Sequence, residues 1–230
     1  MKSSGRCTAS QATLSTEALS LPAEFDIGTF TGVTAEENGG RLPSLDPSSL
    51  EGNRARLYAE ITGGPRAADS GRSPVVDDRG RLLGPFNAML FNPDMGGPMQ
   101  ALGAAIRYRT SLRDSSREMA ILVTAAMVDS AFEWFAHEPL ARAAGVTEDT
   151  ISAIAAGREP PGLDAGDAAI YRGVRALVAD GDLTDAHYAE LSSVLGTTAC
   201  VELVGLVGYY RMLALILRAF RVPMPTVDPR

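Results

Sequence analysis

An acid and a histidine one helical turn apart, Glu133 and His137, lie within an apolar, alanine-rich stretch over residues 117–145. A spacing of four brings both side chains out on one helix face, about 5–6 Å apart at Cβ. A carboxylate beside an imidazole in a poorly hydrated wall is suited to moving protons near neutral pH. Read as one continuous helix of about 100° per residue, Ser130, Glu133 and His137 fall within roughly 60° of one another. They form a narrow polar stripe flanked by Phe132, Trp134 and Phe135. Such a stripe suits a pocket lining, although the spacing alone fits a solvated surface pair as well.

Helices must position this stripe. Apolar positions recur at helical spacing over residues 50–64, 98–108, 117–145, 148–156, 163–180, 184–194 and 201–220, with a helix or turn around 86–90. Pro139 is expected to kink the long third helix. Thr147 reads as an N-cap, residues 71–83 read as loop, and no run has the period of a strand. The pattern is that of an all-α bundle. Residues 1–45, rich in Ser, Thr, Gly, Pro and acids, read as a flexible tail or an arm reaching a second subunit. Residues 46–230 read as a single domain.

Composition removes several classes of function. The chain has 230 residues, is 45% hydrophobic and carries a net charge of −7. It can bury a sizeable core, but it lacks the basic footprint that nucleic acid or an anionic membrane requires. The apolar run at 203–217 is interrupted by Arg211, and the first residues lack a signal-like apolar stretch. A soluble cytoplasmic protein without membrane or nucleic-acid partners is the expectation. Of 21 basic residues only Lys2 is a lysine, so Schiff-base, pyridoxal phosphate and P-loop chemistry lack their residue in the folded region. No Gly-x-Gly-x-x-Gly is present. His137 lacks a second histidine at the zincin position, where Ala141 stands, and no metal is expected. What remains is acid–base chemistry without a cofactor, with arginine as the cation that can hold an anionic substrate.

REMAILVTAA at 117–126, followed by EWxxHxxxARxxG at 133–145, resembles the carboxymuconolactone decarboxylase family of the AhpD-like superfamily. The resemblance extends through GPFNAMLFN at 84–92 and residues 101–112, and returns at 201–225. It implies an AhpD-like helical bundle and a cofactor-independent decarboxylase acting on a small carboxylate or lactone. It also implies an acid, matching Glu118, beside the histidine, and a closing-helix tyrosine matching Tyr210. With the apolar closing helix, it implies a homo-trimer, or a hexamer built from trimers. His137 would transfer the proton, Glu133 would orient its ring and raise its basicity, and Arg117 or another pocket arginine would hold the substrate carboxylate. Asn87, Ser130 and Trp134 are further substrate-binding candidates, while His187, among polar neighbours, reads as a surface residue.

The sequence also departs from the family's pattern. The Cys-x-x-Cys of the peroxidase branch is replaced by Ser130 and Glu133, and the two cysteines are Cys7 and Cys200. Disulfide-linked peroxide reduction then has no thiol pair beside His137. The histidine often found in the decarboxylase closing helix corresponds to Leu206.

Overall fold

The structure is a computed structural model that describes residues 33–34, 40–69 and 71–227. Cys7 and most of the expected tail lie outside the described residues. Eight helices follow in order: α1 (Gly52–Gly63), α2 (Pro85–Met89), α3 (Pro93–Tyr108), α4 (Asp114–Met127), α5 (Ala131–Ala143), α6 (Glu148–Ala155), α7 (Ala165–Ala179) and α8 (Asp185–Ala219). The fold is all-α. Among the described residues the departures are a two-residue antiparallel ladder, β1 (Val33–Thr34) with β2 (Thr226–Val227), and a single antiparallel bridge between Val76 and Leu82, all too short to leave a period in the sequence.

α4 is the spine of the bundle. Every residue from Ser116 to Ala125 is buried, and α5, α6, α7 and α8 all pack around it. A helix covered on all sides belongs to the core. Met119, Ile121, Leu122 and Val123 join Ile170 and Val174 of α7 and Leu203 and Leu206 of α8 in one cluster. Side-chain oxygens of Asn92, Thr147, Asp164 and Thr184 start α3, α6, α7 and α8 by accepting from backbone N–H groups two or three residues inside the helix.

One sequence expectation is corrected here. The continuous helix over 117–145 is two helices, broken at Val128–Ser130, where Asp129 takes the left-handed conformation with φ 53°. Ser130 is the N-cap of α5, and its backbone N–H donates to Ala125 O at 2.9 Å. Aspartate is among the few residues other than glycine that tolerate such a backbone. The two closing segments, as expected, are two helical pieces of α8, separated at Gly196, whose φ of 78° and ψ of 164° are non-helical.

By length and composition α8 could cross a bilayer, yet half of its most apolar window is buried inside the bundle. Its other face leaves Val201, Val204 and Leu215 exposed.

Candidate active site

The break between α4 and α5 turns them into an antiparallel pair and brings Glu118 against His137. Nδ1 of His137 lies 2.7 Å from Glu118 Oε2, and both side chains are buried. On the opposite side of the ring, Nε2 lies 3.8 Å from Glu133 Oε2, too far for a hydrogen bond. The imidazole thus stands between two buried carboxylates. The one that grips it is Glu118, nineteen positions back in the chain, and not Glu133 as the one-turn spacing suggested.

Burial and charge give the three groups different protonation. Desolvation pushes the Glu118 carboxyl up, but His137, Arg107 and Arg117 outweigh it and hold its pKa below the ordinary value. Desolvation lowers the pKa of His137, against the opposing pull of Glu118. Desolvation pushes Glu133 up to about 8, with Arg107 only partly opposing it. Near neutrality Glu118 is therefore a carboxylate, His137 a neutral ring donating through Nδ1–H, and Glu133 a protonated acid. Glu133 Oε1 is buried with no hydrogen-bond partner.

α8 closes the chamber with two tyrosines. The Tyr210 ring meets His137 edge to face, with centroids 5.1 Å apart at 90°, and Tyr209 packs on Tyr210 in the same way at 5.4 Å. Burial holds Tyr210 well above the usual phenol range and pushes Tyr209 up to about 12, so both stay protonated. Gly103 of α3 is what lets Tyr209 in. A Cβ there would stand 2.2 Å from its hydroxyl and 2.9 Å from Nη2 of buried Arg66.

A cleft of about 410 Å³ opens beside the pair, lined by Arg72, Arg107, Tyr108, Asp114, Arg117 and Glu118 among others. Glu118 lines this cleft while His137 sits behind it. Arg117 donates from Nη1 to Asp114 Oδ1 at 2.9 Å, and its Nε lies 3.6 Å from Glu118 Oε1 without a hydrogen bond. The cleft thus mixes three arginines with the carboxylates of Asp69, Asp114 and Glu118.

The structure therefore gathers His137, Glu118, Glu133 and Tyr210, with Arg117 at the cleft. Three candidates lie apart from this group. Asn87 is tied to the segment before α1: its Oδ1 accepts from Leu45 N and its Nδ2 donates to Pro43 O. Trp134 packs in the core and donates from Nε1 to Glu138 at 3.0 Å. Ser130 stands at the N-cap position of α5, without a side-chain capping bond, and makes no bond to the pair. Sequence reasoning missed Arg107, whose charge acts on Glu118, Glu133, His137 and Tyr210 together. An arginine following the apolar run Ala104-Ala105-Ile106 was the available signal.

Comparison with known proteins agrees with this fold. The Carboxymuconolactone decarboxylase family matches residues 93–179, the segment that supplies Arg107, Glu118, Glu133 and His137. Residues 93–179 are thus similar to that family, and the helical fold is AhpD-like. Among solved structures of this fold is an uncharacterised peroxidase-related protein from Ralstonia eutropha JMP134, an alkylhydroperoxidase AhpD core. It is 12% identical at a TM-score of 0.65, with 84% of this chain and 95% of that chain covered. A peroxidase-related protein from Silicibacter sp. TM1040 gives 15% identity, the same TM-score of 0.65 and the same coverages, 84% and 95%. The debrominase Bmp8, solved in complex with 2,3,4-tribromopyrrole, is 13% identical at a TM-score of 0.60, covering 78% of this chain and 90% of that chain. At these identities the shared property is the AhpD-like fold. No curated protein matches the sequence.

Proposed function

We propose that this chain is a carboxymuconolactone decarboxylase-like enzyme that moves protons on a small carboxylate or lactone without a cofactor. The observation that carries this reading is the buried Glu118–His137 bond of 2.7 Å standing at the wall of an arginine-lined cleft. Arginine holds the substrate carboxylate in the cleft. The bond to the departing carboxyl carbon breaks, carbon dioxide leaves, and its electron pair moves into a conjugated carbonyl. The Nδ1 proton of His137 passes through the Glu118 carboxylate to the resulting enolate, while Nε2 receives the proton held on Glu133, leaving Glu118 a carboxylate and His137 neutral. That last transfer requires the 3.8 Å gap to close by about 1 Å. The same relay serves isomerisation, dehydration or cyclisation, each of which needs a positioned base and a stabilised anion.

A thiol peroxidase is disfavoured, since Ser130 and Glu133 stand where that branch carries its cysteines and Cys200 is a buried residue of α8. A non-catalytic binding protein on the same scaffold is the competing class. Carbon dioxide release across a panel of lactone and keto acids decides between them. Turnover of at least one member, lost in His137→Ala, is expected. Binding of panel members without any turnover favours the binding protein.

The exposed Val201, Val204 and Leu215 on α8 support a further proposal, that the protein is a homo-trimer or a hexamer of trimers. Light scattering at micromolar concentration is expected to give three or six times the chain mass of 24.2 kDa. A monomer mass would remove this proposal.

A further inference from the structure

Asp69 ends a short 3-10 segment (Pro65–Asp69) at the rim of the cleft. Its Oδ2 accepts from Arg107 Nη2 at 2.8 Å and from the Tyr108 hydroxyl at 3.0 Å. The Arg107 side chain is only 10% exposed, whereas that of Asp69 is 25% exposed. A buried cation and a phenol thus converge on one oxygen of a carboxylate that solvent reaches. The fit is incomplete, because Arg107 Nε is buried with no acceptor. Asp69, tethered to its backbone, takes one edge position of the guanidinium. An untethered carboxylate takes Nε and Nη2 together, the geometry that makes arginine–carboxylate recognition strong.

The surrounding charges fit an exchange. Arg117 lines the same cleft, and its Nε is likewise without a hydrogen-bond partner. Arg72, exposed on the same wall, makes no side-chain hydrogen bond or ion pair among the described residues. Its backbone N–H already donates to Asp69 O at 2.8 Å, so a cation stands ready beside a displaced Asp69.

We propose that the cleft is a carboxylate receptor in which Asp69 occupies the ligand's seat on Arg107 and Tyr108 until an incoming carboxylate displaces it. This deepens the substrate class of the proposed function and rests on that reading. It makes Asp69 a gate that sets affinity and Arg107 the residue that selects anions.

Calorimetric titration of the full chain with succinate, in chloride-free buffer and with succinamide as the neutral control, tests it. Succinate is expected to bind and succinamide not to. Asp69→Asn removes the competing charge and is expected to tighten succinate about fivefold, the scale of a partly exposed ion pair. Arg107→Gln is expected to abolish binding. In the wild type, saturating succinate is expected to speed hydrogen exchange at the Arg72 amide as Asp69 lets go. Unchanged or weaker succinate binding by Asp69→Asn, no binding by any form, or slower exchange at Arg72 overturns the proposal. A purely structural Asp69 would lower the melting temperature of Asp69→Asn without tightening succinate. Failure here together with loss of turnover in His137→Ala condemns the receptor alone. Turnover that survives His137→Ala condemns the acid–base reading and leaves the binding result standing.

Discussion

Glu133→Gln is expected to be no more stable than the wild type at pH 5.5 and clearly more stable at pH 8.5. The cause is the buried carboxyl, pushed by desolvation from an ordinary 4.5 up to about 8. A raised carboxyl pKa means that the folded protein holds a proton the unfolded chain has released. Stability is therefore undiminished below about pH 4.5 and is lost progressively as pH rises to about 8. At about 1.4 kcal/mol per pH unit, the interval from 5.5 to 8.5 costs the wild type on the order of 3 kcal/mol that the glutamine variant does not lose. An unpartnered buried amide costs about 1–3 kcal/mol at any pH, so the two stability curves should cross. For a chain of this size the swing corresponds to roughly 5–10 °C in relative melting temperature. His137 and Glu118 titrate in both proteins, and comparing the two isolates position 133. Melting curves across that interval that run parallel would show that Glu133 is ionised in the fold.

Such a strained acid has a functional logic. A carboxyl that keeps its proton near neutrality is a proton donor, and keeping it so is the stability cost that burial imposes. Arg107 tempers that cost without removing it, because it also serves Glu118 and Asp69.

The helices were largely legible because their apolar spacing and caps are local. Thr147 capping α6 depends on residues three positions apart. The break in 117–145 was legible too, although the apolar pattern runs through it: Ser130-Ala131-Phe132-Glu133 has the S-x-x-E form that starts helices. Glu133 does not close that box, since its side chain is buried toward His137. Missing the break put the wrong carboxylate on the imidazole. On a continuous helix Glu133 is the ring's neighbour; once the chain turns back, Glu118 is. The Glu118 position could be reached only through the family resemblance, because no local rule links residues nineteen apart. Asn87 misled for the opposite reason. Asn87 is buried and polar, as a site residue would be, but what it satisfies is the backbone of Pro43 and Leu45 more than forty positions away.

Glu118→Gln is expected to lower kcat/KM by about 10²–10⁴-fold on the substrate that the panel identifies, as removal of a positioned acid–base group does. The wild-type profile should be bell-shaped. Its acid limb lies below pH 6.5, where the desolvated His137 becomes protonated and Nε2 can no longer accept. Its alkaline limb lies near pH 8, where Glu133 loses the proton it supplies. Glu118 is the group that raises the His137 pKa against desolvation, so its neutralisation moves the acid limb to lower pH. Glu133→Gln leaves the acid limb in place and removes the alkaline one, along with much of the rate. The two variants thus act on opposite sides of the bell, an outcome that a packing defect at either position does not produce. An alkaline limb that persists in Glu133→Gln would transfer proton supply to another group. An acid limb that moves upward in Glu118→Gln would mean that the 2.7 Å bond to Nδ1 does not hold the ring's proton during turnover.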